Sequence, residues 1–181
     1  MNQIAQQLKE SNIAEYLIYM WQEEDLLRAN GCELEQVEAN LIVRYPEDQR
    51  AALREWYGNL LTMMNEEGVR ETGHLQINKN IILKLTELHN LLAASPKFPF
   101  YNTAYFKALP FIVELRTKNG KKDEPELETC LEALYGVLLL RLQKKPISEG
   151  TVKAIEAISS FLSMLANYYE KDVKGELKLE D

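Results

Sequence analysis

Cysteine is scarce in this chain of 181 residues, which contains only Cys32 and Cys130. The two are far apart and match no metal-ligand spacing or disulfide framework. A reducing cytoplasm is therefore the expected location, because disulfides are rare there. Proline and glycine are also few, at six and eight residues. Long disordered or low-complexity stretches are therefore not expected.

Long hydrophobic runs are missing as well. Runs such as residues 111–113 and 137–140 are far too short to span a bilayer. The first ten residues contain no apolar run, so no signal peptide is expected. Positive charge is in deficit, with 21 Lys and Arg against 28 Asp and Glu and a net charge of −7. Nucleic acids and anionic membranes recognise clustered positive charge, so neither is expected as a partner.

The common catalytic and cofactor motifs are absent too. No Gly-x-Ser-x-Gly elbow, Gly-x-Gly-x-x-Gly turn or phosphate-binding Gly-x-x-x-x-Gly-Lys loop occurs. One Glu-x-x-His sequence, Glu71 to His74, is interrupted by Gly73 and has no second copy, whereas a di-iron bundle needs two. The sequence therefore predicts no catalytic residue, metal site or cofactor, and whether the protein is an enzyme stays open.

What the chain does contain is helical periodicity, with no sustained period-2 alternation. Asn12 and Glu15 form a capping-box pattern, and Gly31 stands where the first long helix should end. The expected helices span residues 13–30 (with a short helical arm before it), 33–44, 46–68, 74–94, 102–118, 125–144 and 148–171. The sequence thus predicts an all-α, compact bundle of about seven helices with no sheet. It should form a single domain over residues 1–171, followed by a polar tail at 172–181.

The prolines add two local expectations. Pro96 and Pro99 should make residues 95–101 a rigid, ordered connection. The aromatic side chains of Phe98, Phe100 and Tyr101 should dock it on the core. Pro110 lies inside the helix at 102–118 and should kink or split it.

Several polar residues fall on otherwise apolar helix faces when each helix is rotated at about 100° per residue. This set consists of Glu24, Arg28, His74, Asn78, His89, Arg116 and Arg141. Each alone has a simple structural explanation: Glu24 and Arg28 form an i,i+4 pair, and Arg116 and Arg141 extend their guanidinium groups to water. As a set, they would be costly to bury without a network or a ligand. Arginine and histidine in one pocket would favour a small anionic ligand.

The shared location of these residues also predicts a network. We expect His74 to join at least one of Glu24, Arg28 and Arg141 in a buried or half-buried group of hydrogen bonds.

Five stretches carry a resemblance to a known family: residues 14–22, 73–80, 95–101, 108–116 and 134–142. Together they resemble a small bacterial family of unknown function, found mainly in the Bacteroidetes. The likeness covers nearly the whole chain. It implies a single compact helical protein, and it brings no activity, substrate or catalytic residue.

Two functions from different classes remain. The first is a non-catalytic helical interaction or scaffold module, with a protein partner or a second copy of the chain. One side of the last helix, with Glu156, Ser159, Ser160, Ser163 and Asn167, reads as a solvated face that would also permit close subunit packing. The second is a small-molecule-binding protein or enzyme that uses the inward polar set. Dispersal of that set would favour the module.

Overall fold

The protein is mainly helical in the region that its computed structural model describes, residues 2–178. The α-helices are α1 Gln3–Ser11, α2 Ile13–Ala29, α3 Leu34–Asn40, α4 Glu47–Glu66, α5 Gln76–Ala94, α6 Pro99–Lys118, α7 Glu126–Leu142 and α8 Glu149–Val173, and a 3₁₀ turn covers Ile42–Arg44. No strand occurs in residues 2–178. The predicted all-α class is confirmed.

Local sequence explains several helix ends. Gly31 adopts a φ of +65°, and the amides of Gly31 and Cys32 donate to the carbonyls of Arg28 and Leu27. This Schellman arrangement ends α2 where the sequence predicts. Ser148 caps α8, because its side chain accepts a hydrogen bond from the Thr151 amide.

The contacts group into two compact units. Among residues 2–178, the first holds those up to Ser11 together with Glu15–Ile81, and the second holds Asn12–Ala14 with those from Ile82. Fully buried side chains in the first include Leu17, Trp21 and Met64. Those in the second include Tyr101 and Phe161. The single domain stays a prediction from the sequence.

Two predicted helices differ in detail. The segment 33–44 is broken at Leu41 into α3 and the 3₁₀ turn, and the following Tyr45 is extended, as expected before a proline. By contrast, α6 begins at Pro99 and runs through Pro110 as one helix, so the expected split does not occur. The Pro110 ring lies on the exposed side, opposite the face that packs along α8. There the lost backbone hydrogen bond costs least, since solvent-side carbonyls bond to water.

The predicted connection at 95–101, which the structure continues into α6, is docked by two of its three aromatic residues. The Phe98 ring packs edge-on against Tyr168, with centroids 5.1 Å apart, and Tyr101 is fully buried. The docking expected of Phe100 was wrong, since its side chain is 81% exposed. Phe100 and Tyr101 are consecutive helical residues about 100° apart, so both cannot face the core fully.

The ends of the chain add two observations. Within residues 2–178, no helix combines the length and apolar character that a bilayer crossing needs. The predicted polar tail begins inside α8, which continues to Val173. Residues 179–181 of that tail lie outside the described residues.

Candidate functional site

A buried carboxylate organises the first unit. Glu24 on α2 is fully buried, and its oxygens are bonded to three groups from the start of α5 and the residues before it. His74 Nδ1 lies 2.7 Å from Oε2, while the Leu75 amide and Asn78 Nδ2 donate to Oε1 at 3.1 and 3.0 Å. Leu75 and Asn78 stand at the N-terminal end of α5, where a negative charge is favourable. Glu24 therefore fixes the start of α5 against α2.

The His74 ring is held from a second side. It stacks on Trp21, with ring centroids 4.1 Å apart and planes 11° from parallel. Trp21 and Glu24 are three residues apart on α2, so both face the same way. Stacking and hydrogen bonding together leave the ring one orientation. The structure thus joins His74 and Glu24 in one network, as the sequence predicts.

Arg28 lies one turn further along α2, but it does not pair with Glu24. Its guanidinium donates to the carbonyls of Val69 and Gly73 and to the carboxylate of Asp25. The predicted i,i+4 pair was therefore wrong, because the Glu24 oxygens are already bonded to His74, Leu75 and Asn78. Arg28 instead ties the segment between α4 and α5 to α2.

Sequence reasoning missed a second buried acid beside the first. Glu23 is 5% exposed, and the Tyr57 hydroxyl donates to its Oε2 at 2.8 Å. Tyr19 also bonds to Glu23, and Asn2 donates to the Tyr19 hydroxyl. Burial raises the pKa of Glu23 above its ordinary value, although both tyrosines oppose that rise. The sequence did contain a signal for its burial: Glu23 follows Met20 by three residues on α2 and so lies close to apolar side chains.

His89 belongs to the second unit and has a different setting. It is buried, its Nδ1 lies 2.6 Å from the Tyr101 hydroxyl, and its ring meets the edges or faces of Tyr105 and Phe161. Burial lowers the pKa of His89, with a smaller opposing effect from Glu126. A neutral ring accepting from the phenol satisfies both groups. Such a histidine supports the core.

The arginines of the second unit do not assemble a charged pocket. Arg116 is partly buried on α6, and its Nε bonds to no described residue. Arg141, which the sequence placed on the inward stripe, is exposed in the last turn of α7. That inward placement was wrong, since Leu142 beside it is also 63% exposed and the covered face of α7 ends earlier. The seven-residue set thus divides: Glu24, Arg28, His74 and Asn78 meet in the first unit, and the other three belong to the second.

Neither a nucleophilic cysteine nor a metal site is well supported by the side chains that could form one. Cys130 is fully buried, and burial raises the pKa of its thiol well above the usual range. Glu124, Glu128 and Glu132 bring carboxylate oxygens within 4.8 Å of one another. The Lys121 ammonium, however, bonds to Glu132 at 2.7 Å and to Glu124 at 2.8 Å. These carboxylates already have a cation, and they raise the pKa of Lys121 in return.

The second unit also contains a groove among α6, α7 and α8, with a volume of about 550 Å³. Small residues create the space: Ala133 and Gly136 on α7, and Ala154 on α8. Its walls are mainly apolar, and its polar margin consists of Glu114, Lys118, Glu132, Ser148 and Thr151. The volume lies within the range of small-molecule pockets.

These features define an all-α protein whose inward polar residues are joined mainly to one another and to the backbone. The chain belongs to the family described as a domain of unknown function, DUF4924, which matches residues 2–176. No similarity to a curated protein or to a solved structure was found. The predicted membership in a family of unknown function is confirmed, and the family supplies no activity.

Proposed function

We propose that this protein is a non-catalytic helical interaction module, and that its contact surface is the outward face of α6. This face comprises Phe100, Thr103, Phe106, Lys107, Pro110, Val113, Glu114 and Thr117, all exposed. The observation that carries the proposal is the exposure of its large apolar side chains. Phe100 is 81% exposed, Phe106 64% and Val113 51%.

The arrangement of these residues matters more than their number. Single exposed apolar residues are ordinary on protein surfaces. Phe106, Pro110 and Val113, however, follow one another at spacings of four and three, so they form a continuous stripe along the helix. Contiguous exposed apolar surface is typical of interaction sites. The polar side of α8, with Ser160 and Asn167 exposed, lacks this property.

The hydrogen bonding of the inward polar residues also supports an interaction module rather than an enzyme. Glu24, Arg28, His74 and His89 are engaged in hydrogen bonds with side chains or backbone. Glu24 is fully buried and His89 is only 6% exposed, so neither side chain is open to a substrate. A catalytic acid or base needs a partner proton within reach in a site that substrate can enter.

Site-specific photocrosslinking tests this proposal. Photoreactive benzoylphenylalanine is placed at Phe106 and, as the matched control, at Ser160 on the exposed side of α8. We expect discrete crosslinked products from position 106 and none from position 160. Equal crosslinking from both positions, or none from position 106, would contradict an interaction role for the α6 face.

A second candidate function is binding of a small amphiphile with a negatively charged head group, favoured by the groove of about 550 Å³ beside Lys118. Anilinonaphthalene sulfonate is a suitable probe, because it combines aromatic rings with an anionic group. A Cβ added at Gly136 would meet no atom within 4 Å, so Gly136→Leu introduces a larger side chain at an open position of the groove. We expect probe fluorescence to rise with the native protein and with Ala51→Leu, which adds leucine at an exposed site, but not with Gly136→Leu. Equal fluorescence from all three proteins would exclude the groove as the binding site.

We also propose a cytoplasmic location and a bacterial origin. Both cysteines are free and buried, which is compatible with a reducing compartment. The origin is implied by the family resemblance described above. Measurement of the redox state of both thiols in the producing cell tests the location, since an oxidised pair would contradict it.

A further inference from the structure

We infer that the outward face of α6 binds the same face of a second copy of this chain, with the two α6 helices antiparallel about a two-fold axis at Pro110. This inference rests on the proposed function, because it names the partner of that same surface. Its basis is a symmetry in the chemistry of α6 about Pro110.

The apolar and small residues of α6 are nearly palindromic. Thr103 and Thr117 lie seven residues before and after Pro110, while Phe106 lies four before and Val113 three after. At a rise of about 1.5 Å per residue, a two-fold axis at Pro110 sets Phe106 opposite Val113 of the partner subunit, to within about 1.5 Å along the helix. It also sets Thr103 opposite Thr117 of the partner subunit. The bulky ring thus meets a smaller side chain.

The charges obey the same symmetry with opposite signs. Lys107 lies three residues before Pro110 and Glu114 four after, and the seven-residue interval puts both on one flank of the stripe. A two-fold axis at right angles to both helices keeps this flank facing its own copy. Lys107 then lies opposite Glu114 of the partner subunit, and the pair occurs twice. A parallel pairing would instead set this charged flank against the opposite flank of the partner subunit, which carries Phe106 and Val113.

The existing ion pairs of α6 leave Lys107 and Glu114 available for this contact. Lys107 forms no ion pair with any residue in the described range 2–178. Glu114 pairs with Lys118 within the helix, but a carboxylate has two oxygens and accepts a second cation. Lys118 also lies on this flank, about 3 Å along the helix from the position of the partner subunit's Phe100, where a cation–π contact forms.

The size of the contact sets the expected affinity. A helix of 20 residues is about 30 Å long and about 10 Å wide, so one helix pair covers much less than the roughly 800 Å² per subunit of a standard stable interface. Weak, reversible dimerisation is therefore expected. Its dissociation constant should be on the order of micromolar or weaker.

Sedimentation velocity of the full chain from about 1 µM to about 1 mM tests the inference, a range that brackets weak dimers. The native protein should shift from monomer to dimer. Phe106→Ser should stay monomeric, while Leu83→Ser, at an apolar residue 59% exposed on α5 of the same unit, should dimerise normally. Circular dichroism of each variant establishes that its helices remain folded.

Charge exchange tests the antiparallel geometry. Lys107→Glu and Glu114→Lys should each weaken self-association roughly tenfold, since each replaces two attractive pairs by two repulsive ones. An equimolar mixture of the two variants should form a heterodimer more tightly than either forms a homodimer. At positions 107 and 114, one chain then presents only carboxylates and the other only ammonium groups, so both pairs across the axis are attractive. Lys107→Glu with Glu114→Lys in one chain should restore dimerisation.

Three results would overturn the inference. A monomer at every concentration excludes the second copy, and undiminished dimerisation of Phe106→Ser assigns the contact to another surface. Mixed charge variants that show no preference for the heterodimer exclude the antiparallel arrangement. If the protein is monomeric but still crosslinks a different protein from position 106, only the second copy is excluded. If crosslinking from position 106 also fails, the proposed interaction function is contradicted as well.

Discussion

The two histidines of the chain, one in each unit, are held at Nδ1 but by different chemistry. His74 meets the buried carboxylate of Glu24 and stacks on Trp21. His89 meets the neutral Tyr101 hydroxyl and is otherwise surrounded by aromatic rings. A carboxylate can compensate a positive ring, whereas a phenol in an apolar setting favours a neutral one. His74 is half-buried and His89 is buried, and each takes its role from the group that its Nδ1 meets.

The same contrast extends to the surroundings. In the first unit, charged side chains bind backbone as well as other side chains: Glu24 accepts from the Leu75 amide, and Arg28 donates to two carbonyls. In the second, side chains around His89 bind one another, as with Tyr105 and Glu126 at 2.9 Å. Loss of a charged group in the first unit should therefore release a whole segment. Loss of a neutral partner in the second should cost one hydrogen bond.

The largest effect is expected from Glu24→Ala. The substitution leaves the buried Leu75 and Asn78 amides, and the half-buried His74 ring, without their bonding partner. It should lower the free energy of unfolding by about 3–5 kcal/mol. Urea denaturation measures the change, with Glu35→Ala on an exposed position of α3 as the control. A loss no greater than that of the control would show that the Glu24 network contributes little stability.

A smaller effect is expected at His89 and Tyr101. His89→Leu leaves the buried Tyr101 hydroxyl without its acceptor, and Tyr101→Phe leaves His89 Nδ1 without its donor. Each should cost about 1–3 kcal/mol of unfolding free energy. The double variant should cost less than the sum of the two, because neither polar partner is then left alone. If the two losses of unfolding free energy were strictly additive, the hydrogen bond between His89 and Tyr101 would contribute no stability.

One buried group in each unit should make stability depend on pH, and the two contributions have opposite signs. The folded pKa of His89 is lowered, so the unfolded state takes up a proton first as pH falls below about 6.5, and stability is lost on acidification. The folded pKa of Glu23 is raised, so its contribution is present below about pH 4.5 and is lost as pH rises.

Unfolding free energy measured between pH 4 and pH 8 tests both signs. As pH falls, the unfolding free energy of His89→Leu should decrease less than that of the native protein, because the variant has no histidine to protonate at this position. Glu23→Gln, which keeps an oxygen for the Tyr57 hydroxyl, should gain stability relative to the native protein as pH rises. Parallel pH profiles for all three proteins would contradict these assignments.

The smallest effect is expected from Arg141→Met. Arg141 is exposed, so its replacement should change the free energy of unfolding by less than about 0.5 kcal/mol. In a cycle with Glu24→Gln, the two effects should be additive, since Glu24 has its partners in the first unit. A coupling above about 1 kcal/mol would restore Arg141 to the polar network.

Much of the fold is readable from the sequence because helical periodicity and helix-end signals are local. The Gly31 terminus of α2, the Ser148 cap and the all-α class follow from short stretches of chain. Part of the site is readable too: Glu24 and Asn78 occupy apolar sectors of α2 and α5, His74 stands just before α5, and the structure joins all three. Glu23 has a local signal in its apolar neighbours on α2, but its partner Tyr57, 34 positions away, could not be read from the sequence.

The sequence by itself determined which residues share a face of each helix, and hence the stripe of α6 and the apolar setting of Glu24. Only the tertiary structure decided which faces are covered. Arg141 shares a face with buried leucines, yet it lies where the covering of α7 ends. Phe106 is apolar, yet it lies opposite the buried side of α6. Periodicity is a property of one helix, whereas burial depends on the neighbouring helices that pack against it.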